Sequence, residues 1–512
     1  TKKEELITMN KKFFLIGKNL QSSVCLNGAL NLETIENELL KSGWDTTDNY
    51  KEADAIIGSF CVMTYTEIQE AVRLIIKYSS FPAKLYVCGC ITKAKDIIIP
   101  LRARFNFTTF STSQELVSEL TNTPIHIKPD FDIFNNQFVI NISEGCNKRC
   151  TFCKTSYIDA TYKSKSIDSI INAIKTGVSL GFNSIVFNAM NSTQYGCDLE
   201  TQTTLNDLLV KCLEIPNVLY QLNGLVASEL TPELISTLTN PRFIVIQLEA
   251  QSFIPTVRKN MKIGDDNAKV LKTALRAFKN KVIFSNVMVG YPGESSKKFD
   301  EQLNLIKREN YWFLTVNALE ATPGTPVMYM DRPEEASLNN RVRKVTKVIY
   351  DLRVAKANSL LNKKVKVLIV ANLNSVLVGI YQGIYVYVHD FDDSVDIGDE
   401  YEVVLRSVTS YFNIQQQMEM SDQFKEKSTD TEEFFKNSDL SWLKAFPKSF
   451  QDNAKKIISS GSSMDDPIRV LIGLTDLLAK FNTQTQREKT TKLMSSVPDY
   501  LNLKDYMDNM LK

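Results

Sequence analysis

Between residues 137 and 330 the chain repeats one pattern six times: a short apolar run, then a stretch with helical periodicity. The runs are "QFVINI", "NSIVFNAM", "VLYQLNGL", "RFIVIQLEA", "KVIFSNVMVG" and "WFLTVNALE". Strands joined by helices pair in parallel, because a parallel pair needs a crossover of a dozen or more residues. The pattern therefore predicts a βα barrel or part-barrel, with its chemistry at the carboxyl ends of the strands. A shorter α/β pattern precedes it in residues 11–120, where "FFLIG", "ADAIIGSF" and "KLYVCGC" alternate with "LETIENELLKSGW" and "EIQEAVRLIIKY", predicting a separate parallel sheet. Residues 122–136, containing Pro and Asp, read as a linker. Residues 334–362 read as a charged helix, and residues 363–412 switch to β patterning, which predicts a small barrel. The remainder, 413–512, is polar and helix-like, with a break at "SSGSSMDDP".

At 512 residues the chain exceeds what one growing core accommodates, so several domains are expected. The hydrophobic fraction is 43%, but no apolar run approaches the roughly 20 residues that span a bilayer, and no membrane association is expected. The opening stretch "TKKEELITMNKKFFLIG" lacks a long apolar core and a small-residue cleavage site, so the expected compartment is the cytoplasm. Nine cysteines are too few and too uneven for a disulfide scaffold, which leaves metal ligation, catalysis or burial. A net charge of +1 gives no whole-molecule basic field of the kind that marks nucleic-acid binding.

Three of the cysteines lie together in "EGCNKRCTFCKT", residues 144–155, directly after the first strand of the repeat. Cys146, Cys150 and Cys153 can ligate three irons of a four-iron cluster, leaving the fourth iron open to chelate a small molecule. Zinc competes for such a loop, but its structural sites add a second cysteine pair or two histidines, and the chain has only His126 and His389. On this triplet the sequence resembles the radical S-adenosylmethionine (SAM) superfamily. "SEGCNKRCTFC", "SIVFNAMNSTQYG", "QLEAQSFIPTVRKNMK", "NVMVGYPGES" and "ATPGTPV" further match, in order and spacing, the blocks of the methylthiotransferase family. The resemblance covers roughly residues 11–412.

The resemblance implies an α/β fold in four parts: a flavodoxin-like parallel sheet at 11–121, a radical SAM part-barrel at 137–333, a linking helix at 334–362 and a TRAM-like β-barrel at 363–412. The helical extension 413–512 lies outside it. Family members carry three cysteines in the first part, and Cys25, Cys61 and Cys90 fall at those positions, with Glu33 and Gly43-Trp44 at the expected distances after Cys25. They would hold a second 4Fe-4S cluster; burial as small hydrophobes is the structural alternative, and it is the reading taken here for Cys88, Cys197 and Cys212. Two clusters imply two uses of SAM. One molecule methylates a sulfur held on the auxiliary cluster, and another is cleaved reductively to a 5'-deoxyadenosyl radical that removes hydrogen from an unactivated C–H bond. An external electron donor of the flavodoxin or ferredoxin type is implied. The cofactors carry this chemistry, so no catalytic acid or base is assigned. By the same resemblance Asn188, Gln194, Tyr195, Gln251 and Ser252 flank the cofactor; capping and turn formation would explain them equally.

Substrate choice follows from departures and charge. Family members that modify tRNA carry Arg-Gly and Arg-Ser-Arg after the triplet, where this chain has Asp159-Ala160 and Lys163-Ser164-Lys165. No Lys or Arg occurs between Lys366 and Arg406, whereas Asp390, Asp392, Asp393, Asp396, Asp399, Glu400 and Glu402 crowd that segment. Phosphate backbones are held by cations, so a polypeptide substrate is expected: a ribosomal protein or a natural-product precursor peptide. Modification of a tRNA adenosine is the alternative, with RNA gripped by the Lys/Arg-rich helix at 341–366; "CTFCKT" resembles the tRNA branch. An iron-sulfur protein that carries electrons without group transfer is the alternative from another class.

Overall fold

The computed structural model describes residues 10–16, 26–123, 131–134, 137–158, 161–200, 202–263, 268–333, 335–372, 376–389, 391, 394–406, 448 and 451–456. Cys25 and nearly all of the extension 413–512 lie outside these residues.

The first sheet contains β1 (Lys12–Ile16), β2 (Asp45–Thr46), β3 (Ala55–Ser59), β4 (Lys84–Cys88) and β5 (Thr108–Thr109), in the order β2-β1-β3-β4-β5 with every pair parallel. This is the flavodoxin-like doubly wound order, in which the winding reverses between β1 and β3 and a crevice opens at their carboxyl ends. Side-chain alternation splits the sheet. Ala55, Ile57, Tyr86 and Cys88 pack with Leu32, Ile35 and Leu39 of α1 (Leu26–Lys41), and with Leu116 of α4 (Ser113–Thr121). Ile56, Leu85 and Val87 pack on the other face with α2 (Tyr65–Ser79) and α3 (Lys95–Arg104). Helix α2 starts where it does because Thr64 and Glu67 form a capping box.

The second sheet runs β14-β13-β12-β11-β10-β7-β6. Strands β7 (Gln137–Asn141), β10 (Ser184–Asn188), β11 (Leu219–Val226), β12 (Phe243–Glu249), β13 (Val282–Val289) and β14 (Leu314–Ala318) are parallel and coincide with the six apolar runs. Helices cover their outer faces, among them α6 (Ile167–Ser179), α7 (Leu205–Leu213), α8 (Pro232–Leu238), α10 (Ala268–Ala277) and α11 (Ser296–Arg308), whereas α9 (Pro255–Met261) packs in the cluster shared with the first sheet. Two expectations change. Part of the supposed linker forms β6 (Asp132–Phe134), antiparallel to β7, because an edge strand offers partners that even three residues can use. The helix read as a link, α12 (Glu335–Asn358), instead buries Val345 and Ile349 in the barrel's outer core against β14 and α11.

Strands β15 (Lys364–Asn372), β16 (Leu377–Tyr381), β17 (Ile384–Val388) and β18 (Glu400–Val404) form an antiparallel sheet in the order β17-β16-β15-β18. Val370, Val378 and Ile380 of this unit pack on Leu219, Ile244, Val245 and Val282. It therefore docks at the amino ends of β11, β12 and β13, away from the ends that carry the functional loops. One cluster also joins the first sheet to the barrel, bringing Ile91, Ile97 and Leu101 together with Ile254, Val257, Met261 and Tyr291. Ala454, in the described helical residues 451–456, is buried in this same cluster. No helix among the described residues is long and apolar enough to cross a membrane.

Candidate functional site

The triplet hangs from the carboxyl end of β7. Its loop begins with a two-stranded pairing of β8 (Ser143–Glu144) and β9 (Lys163–Ser164), then turns at Gly145 with φ 74°. A Cβ at Gly145 would meet the Thr161 carbonyl oxygen at 1.7 Å, so only glycine lets the chain enter Cys146 here. The far side of the loop is pinned to the end of α9: Thr151 N–H donates to Met261 O at 3.0 Å, and the Cys150 thiol to Lys262 O at 3.9 Å. The Tyr291 hydroxyl donates to Asn260 O at 2.7 Å and accepts from Thr151 Oγ1 at 2.6 Å. Lys154, next to Cys153, has only 2% of its side chain exposed and pairs with Asp96 of α3, in the first domain. At the other edge, Lys148 pairs with Glu229, which also accepts from Thr193 Oγ1 at 2.7 Å. Burial alone would raise the Glu229 carboxyl, but its bonds with Lys148 and Thr193 hold it below the ordinary value.

Cys146 is buried, while Cys150 and Cys153 keep some exposure. Burial, reinforced by the neighbouring Cys153 and Cys146 sulfurs, pushes the Cys150 thiol up to about 12, and burial likewise raises Cys146. Such thiols become thiolates only when a cation compensates them. The three thiols are electrostatically coupled, since the Cys153 and Cys146 sulfurs both act on Cys150, and thiolate is the donor that iron-sulfur centres prefer.

Cys61 and Cys90 follow β3 and β4 at their carboxyl ends. Backbone bonds join the two loops, Phe60 N–H to Cys88 O at 3.0 Å and Ile91 N–H to Phe60 O at 3.2 Å. Gly89, at φ 89°, permits this approach, since a Cβ there would lie 2.8 Å from Phe60 N and O. Met63 N–H donates to Cys61 Sγ at 3.4 Å, a contact of the kind that tunes a cluster sulfur. Cys90, Cys150 and Phe152 all pack against the apolar cluster between the domains, so the two cysteine loops border one surface. Cys25 lies outside the described residues.

The remaining candidates divide. Gln194 Oε1 accepts from Asn147 Nδ2, inside the cysteine loop, at 3.4 Å, and Asn188 Nδ2 donates to Asn141 Oδ1 at 2.6 Å. Tyr195, by contrast, has its ring in the outer core and its hydroxyl bonded to Lys165 O at 2.7 Å. Ser252 is wholly buried, donating to Gln302 Oε1 at 2.9 Å and accepting from Ile254 N–H at 3.1 Å, a local turn that leads into α9. Gln251 adopts φ 57° and donates to Glu249 Oε2 at 2.9 Å, while its own Oε1 is buried without a hydrogen-bond partner among the described residues. Of the cysteines read as buried, Cys88 and Cys212 are so, but Cys197 is exposed and its sulfur lies 3.7 Å from Asn147 Nδ2. The Lys154–Asp96 and Lys148–Glu229 pairs escaped the sequence reading, because partners so far apart in the chain leave no local pattern.

Residues 140–306 match the model of the Radical SAM superfamily. The ribosomal protein uS12 methylthiotransferase RimO of Prochlorococcus marinus is 24% identical over 373 residues, covering 67% of this chain and 82% of that protein. The tRNA-2-methylthio-N(6)-dimethylallyladenosine synthase of Clostridium botulinum is 26% identical over 376 residues, covering 66% and 82%. Among solved structures, the radical S-adenosylmethionine methyltransferase TsrM of Kitasatospora setae superposes with a TM-score of 0.45 at 10% identity, over 62% of this chain and 77% of that one.

Proposed function

Because this chain is a radical SAM enzyme of the methylthiotransferase type, we propose that it inserts a methylthio group into an unactivated C–H bond of a polypeptide, a ribosomal protein or a precursor peptide. The observation that carries the reading is the shared surface: the loop after β4, with Cys90, and the loop after β7, with Cys150 and Phe152, border one interdomain cluster. Cys146, Cys150 and Cys153 would hold the radical-generating 4Fe-4S cluster, and Cys61 and Cys90, with Cys25, the auxiliary one. When bound, these groups and SAM supply the one-electron and sulfur chemistry that no side chain can. The protein's own share is placement. The Lys154–Asp96 pair ties the triplet loop to the first domain, and Glu320 does the same for the barrel, accepting from Thr66 N–H at 3.0 Å and from Thr66 Oγ1 at 3.2 Å. Phe152 and its apolar neighbours keep water from the surface between the loops.

A polypeptide is favoured by two local features, against which stand the exposed Arg343, Lys344 and Lys347 of α12. Two arginines of α12 serve the core: Arg341 bonds Glu294 at 2.8 Å, and Arg353 donates to Trp312 O at 2.8 Å and Leu314 O at 2.6 Å. β15–β18 is acidic, with Glu400 and Glu402 exposed on β18. The setting is a soluble cytoplasmic one, with electrons from a flavodoxin or ferredoxin type donor.

The test is anaerobic reconstitution with SAM, a reductant and one of three substrates: ribosomal protein uS12, a basic peptide or bulk tRNA. The expected result is 5'-deoxyadenosine together with S-adenosylhomocysteine, and a polypeptide that gains one methylthio group in place of hydrogen. Modification confined to tRNA would replace the substrate assignment. Formation of neither nucleoside product would leave an electron-carrying iron-sulfur protein.

A further inference from the structure

The pole of the part-barrel opposite the cysteine loops carries charge that the chemistry above does not use. Helices α10, α11 and α12 end there, beside the amino ends of β13 and β14. A cavity of about 510 Å³ opens at this pole, within the size range of small-molecule sites. Lys272 and Arg276 of α10, Lys279 and Lys281 just beyond it, and Lys356 of α12 supply its cations. Gln382, in the turn between β16 and β17, closes it from the side of the small sheet. That turn is left-handed at both central residues, Gln382 at φ 47° and Gly383 at φ 80°, and a Cβ on Gly383 would lie 2.8 Å from Lys281 O. The cavity is therefore built jointly by the barrel and the β15–β18 unit.

Its charge is unbalanced. Five cations share one carboxylate, Glu309, which is already taken by Lys272 at 2.8 Å and by Arg308 at 3.3 Å. Lys281 is 6% exposed and donates to Asn240 O and Phe243 O, both at 2.7 Å; burial holds its ammonium down at about 8. Lys356 donates to Gln382 Oε1 at 2.9 Å and stands 5.8 Å from the centre of the half-buried Trp312 ring, which also lines the cavity. Arg276 and Lys279 are exposed and form no ion pair among the described residues. A helix carboxyl end offsets only about half a charge, so the three ends leave a surplus. Like charges gathered in a concavity attract a counter-anion, and a guanidinium beside ammonium groups suits phosphate oxygens. A carboxylate would neutralise one charge of the surplus, whereas a phosphate ester carries about two. The cations converge on one hollow instead of running along an open face, which suits a small ligand and not a nucleic-acid backbone.

We propose that this cavity binds a small phosphorylated molecule, its phosphates held by Arg276, Lys279 and Lys356 beside the ring of Trp312. The site is independent of which polymer the enzyme modifies. Because its wall includes Gln382, an occupied cavity fastens the β15–β18 unit to the barrel.

The probes are pyrophosphate, GDP, guanosine and a short RNA oligonucleotide, titrated calorimetrically into the anaerobically reconstituted full chain. Excess S-adenosylhomocysteine is present, so that a nucleoside site beside the cysteine loops is already filled. Pyrophosphate and GDP are expected to bind at least about tenfold tighter than guanosine, an advantage that Arg276→Ala/Lys279→Ala abolishes. Lys356→Gln gives the same loss should the double variant not fold. Trp312→Leu separates two sources of the phosphate: it weakens GDP alone where a base stacks on the ring, and leaves GDP and pyrophosphate equally bound where a sugar phosphate or polyphosphate is the ligand. Amide exchange in the β16–β17 turn should slow in the bound state. Equal binding of guanosine and GDP overturns the proposal, as does undiminished pyrophosphate binding by the folded double variant. Binding of the oligonucleotide but of neither small phosphate also overturns it, because the cations would then serve a nucleic-acid surface. Unchanged exchange in the turn on binding would place the ligand elsewhere.

Discussion

At the scale of single residues, the triplet loop depends on two positions that are not cysteines. Gly145 turns the chain with a left-handed φ, and an alanine Cβ would fall 1.7 Å from the Thr161 carbonyl oxygen, which belongs to backbone and cannot swing aside. Gly145→Ala is therefore expected to displace Cys146 while the sheets still form. Iron per chain should fall by roughly half, the share of one of the two cubes proposed above, with the far-ultraviolet circular dichroism unchanged. Full iron loading in that variant would show that Cys146 does not depend on this turn. Lys154 presents the other case, a charge buried beside the loop and neutralised by Asp96. Removing one partner strands the other, so Lys154→Met should cost about 3–5 kcal/mol in urea unfolding, and the Lys154→Met/Asp96→Leu pair should recover much of it. Additive losses in the double variant would deny the coupling. Neither residue announces itself in the sequence: glycine before a cysteine is common, and Lys154 and Asp96 are linked only once the two domains meet.

At the scale of elements, the turn between β13 and α11 shows how one carboxylate organises a junction. Glu294 accepts from Gly290 N–H at 2.7 Å, from Gln302 Nε2 at 3.2 Å and from Arg341 of α12 at 2.8 Å. Glu294→Gln keeps the shape but removes the charge facing Arg341, so a loss of about 3 kcal/mol is expected in the unfolding midpoint, with α12 the first helix to gain amide exchange. Unchanged exchange in α12 would mean that its apolar face alone holds it. This junction also marks where sequence reasoning stops. The six parallel strands were legible because each is an apolar run too short for a helix and followed by one, a local property. β6 was not, because three residues, "DIF", become a strand only through pairing with β7. α12 looked solvated because its buried stripe is narrow and two of its buried positions, Arg341 and Arg353, are cations by composition.

At the scale of the whole molecule, a net charge of +1 conceals a separation of charge. The β15–β18 unit packs against the amino ends of β11, β12 and β13, so its acidic edge lies at the end of the barrel away from the cysteine loops. Residues there are too far from the chemistry to take part in it, and their effect on a substrate is limited to attraction and orientation. Lys364 already pairs with Glu402 at 2.6 Å, but both side chains remain largely exposed, and a pair of that kind is worth little in water. The exposed Lys364 and Lys366 of β15 offset part of this edge's negative field, and what remains, from Asp396, Asp399 and Glu400, favours a basic polypeptide over a phosphate backbone. Replacing Glu400 and Glu402 by lysine should weaken binding of a basic peptide several-fold at low ionic strength, mainly through a slower association rate, and the difference should vanish near 1 M salt, where screening acts within about 3 Å. Binding of tRNA to the unaltered chain should be weak, with a shallow dependence on salt. Tight tRNA binding with a steep salt slope would instead mean that lysines elsewhere outweigh this edge, and the polypeptide assignment would give way to tRNA.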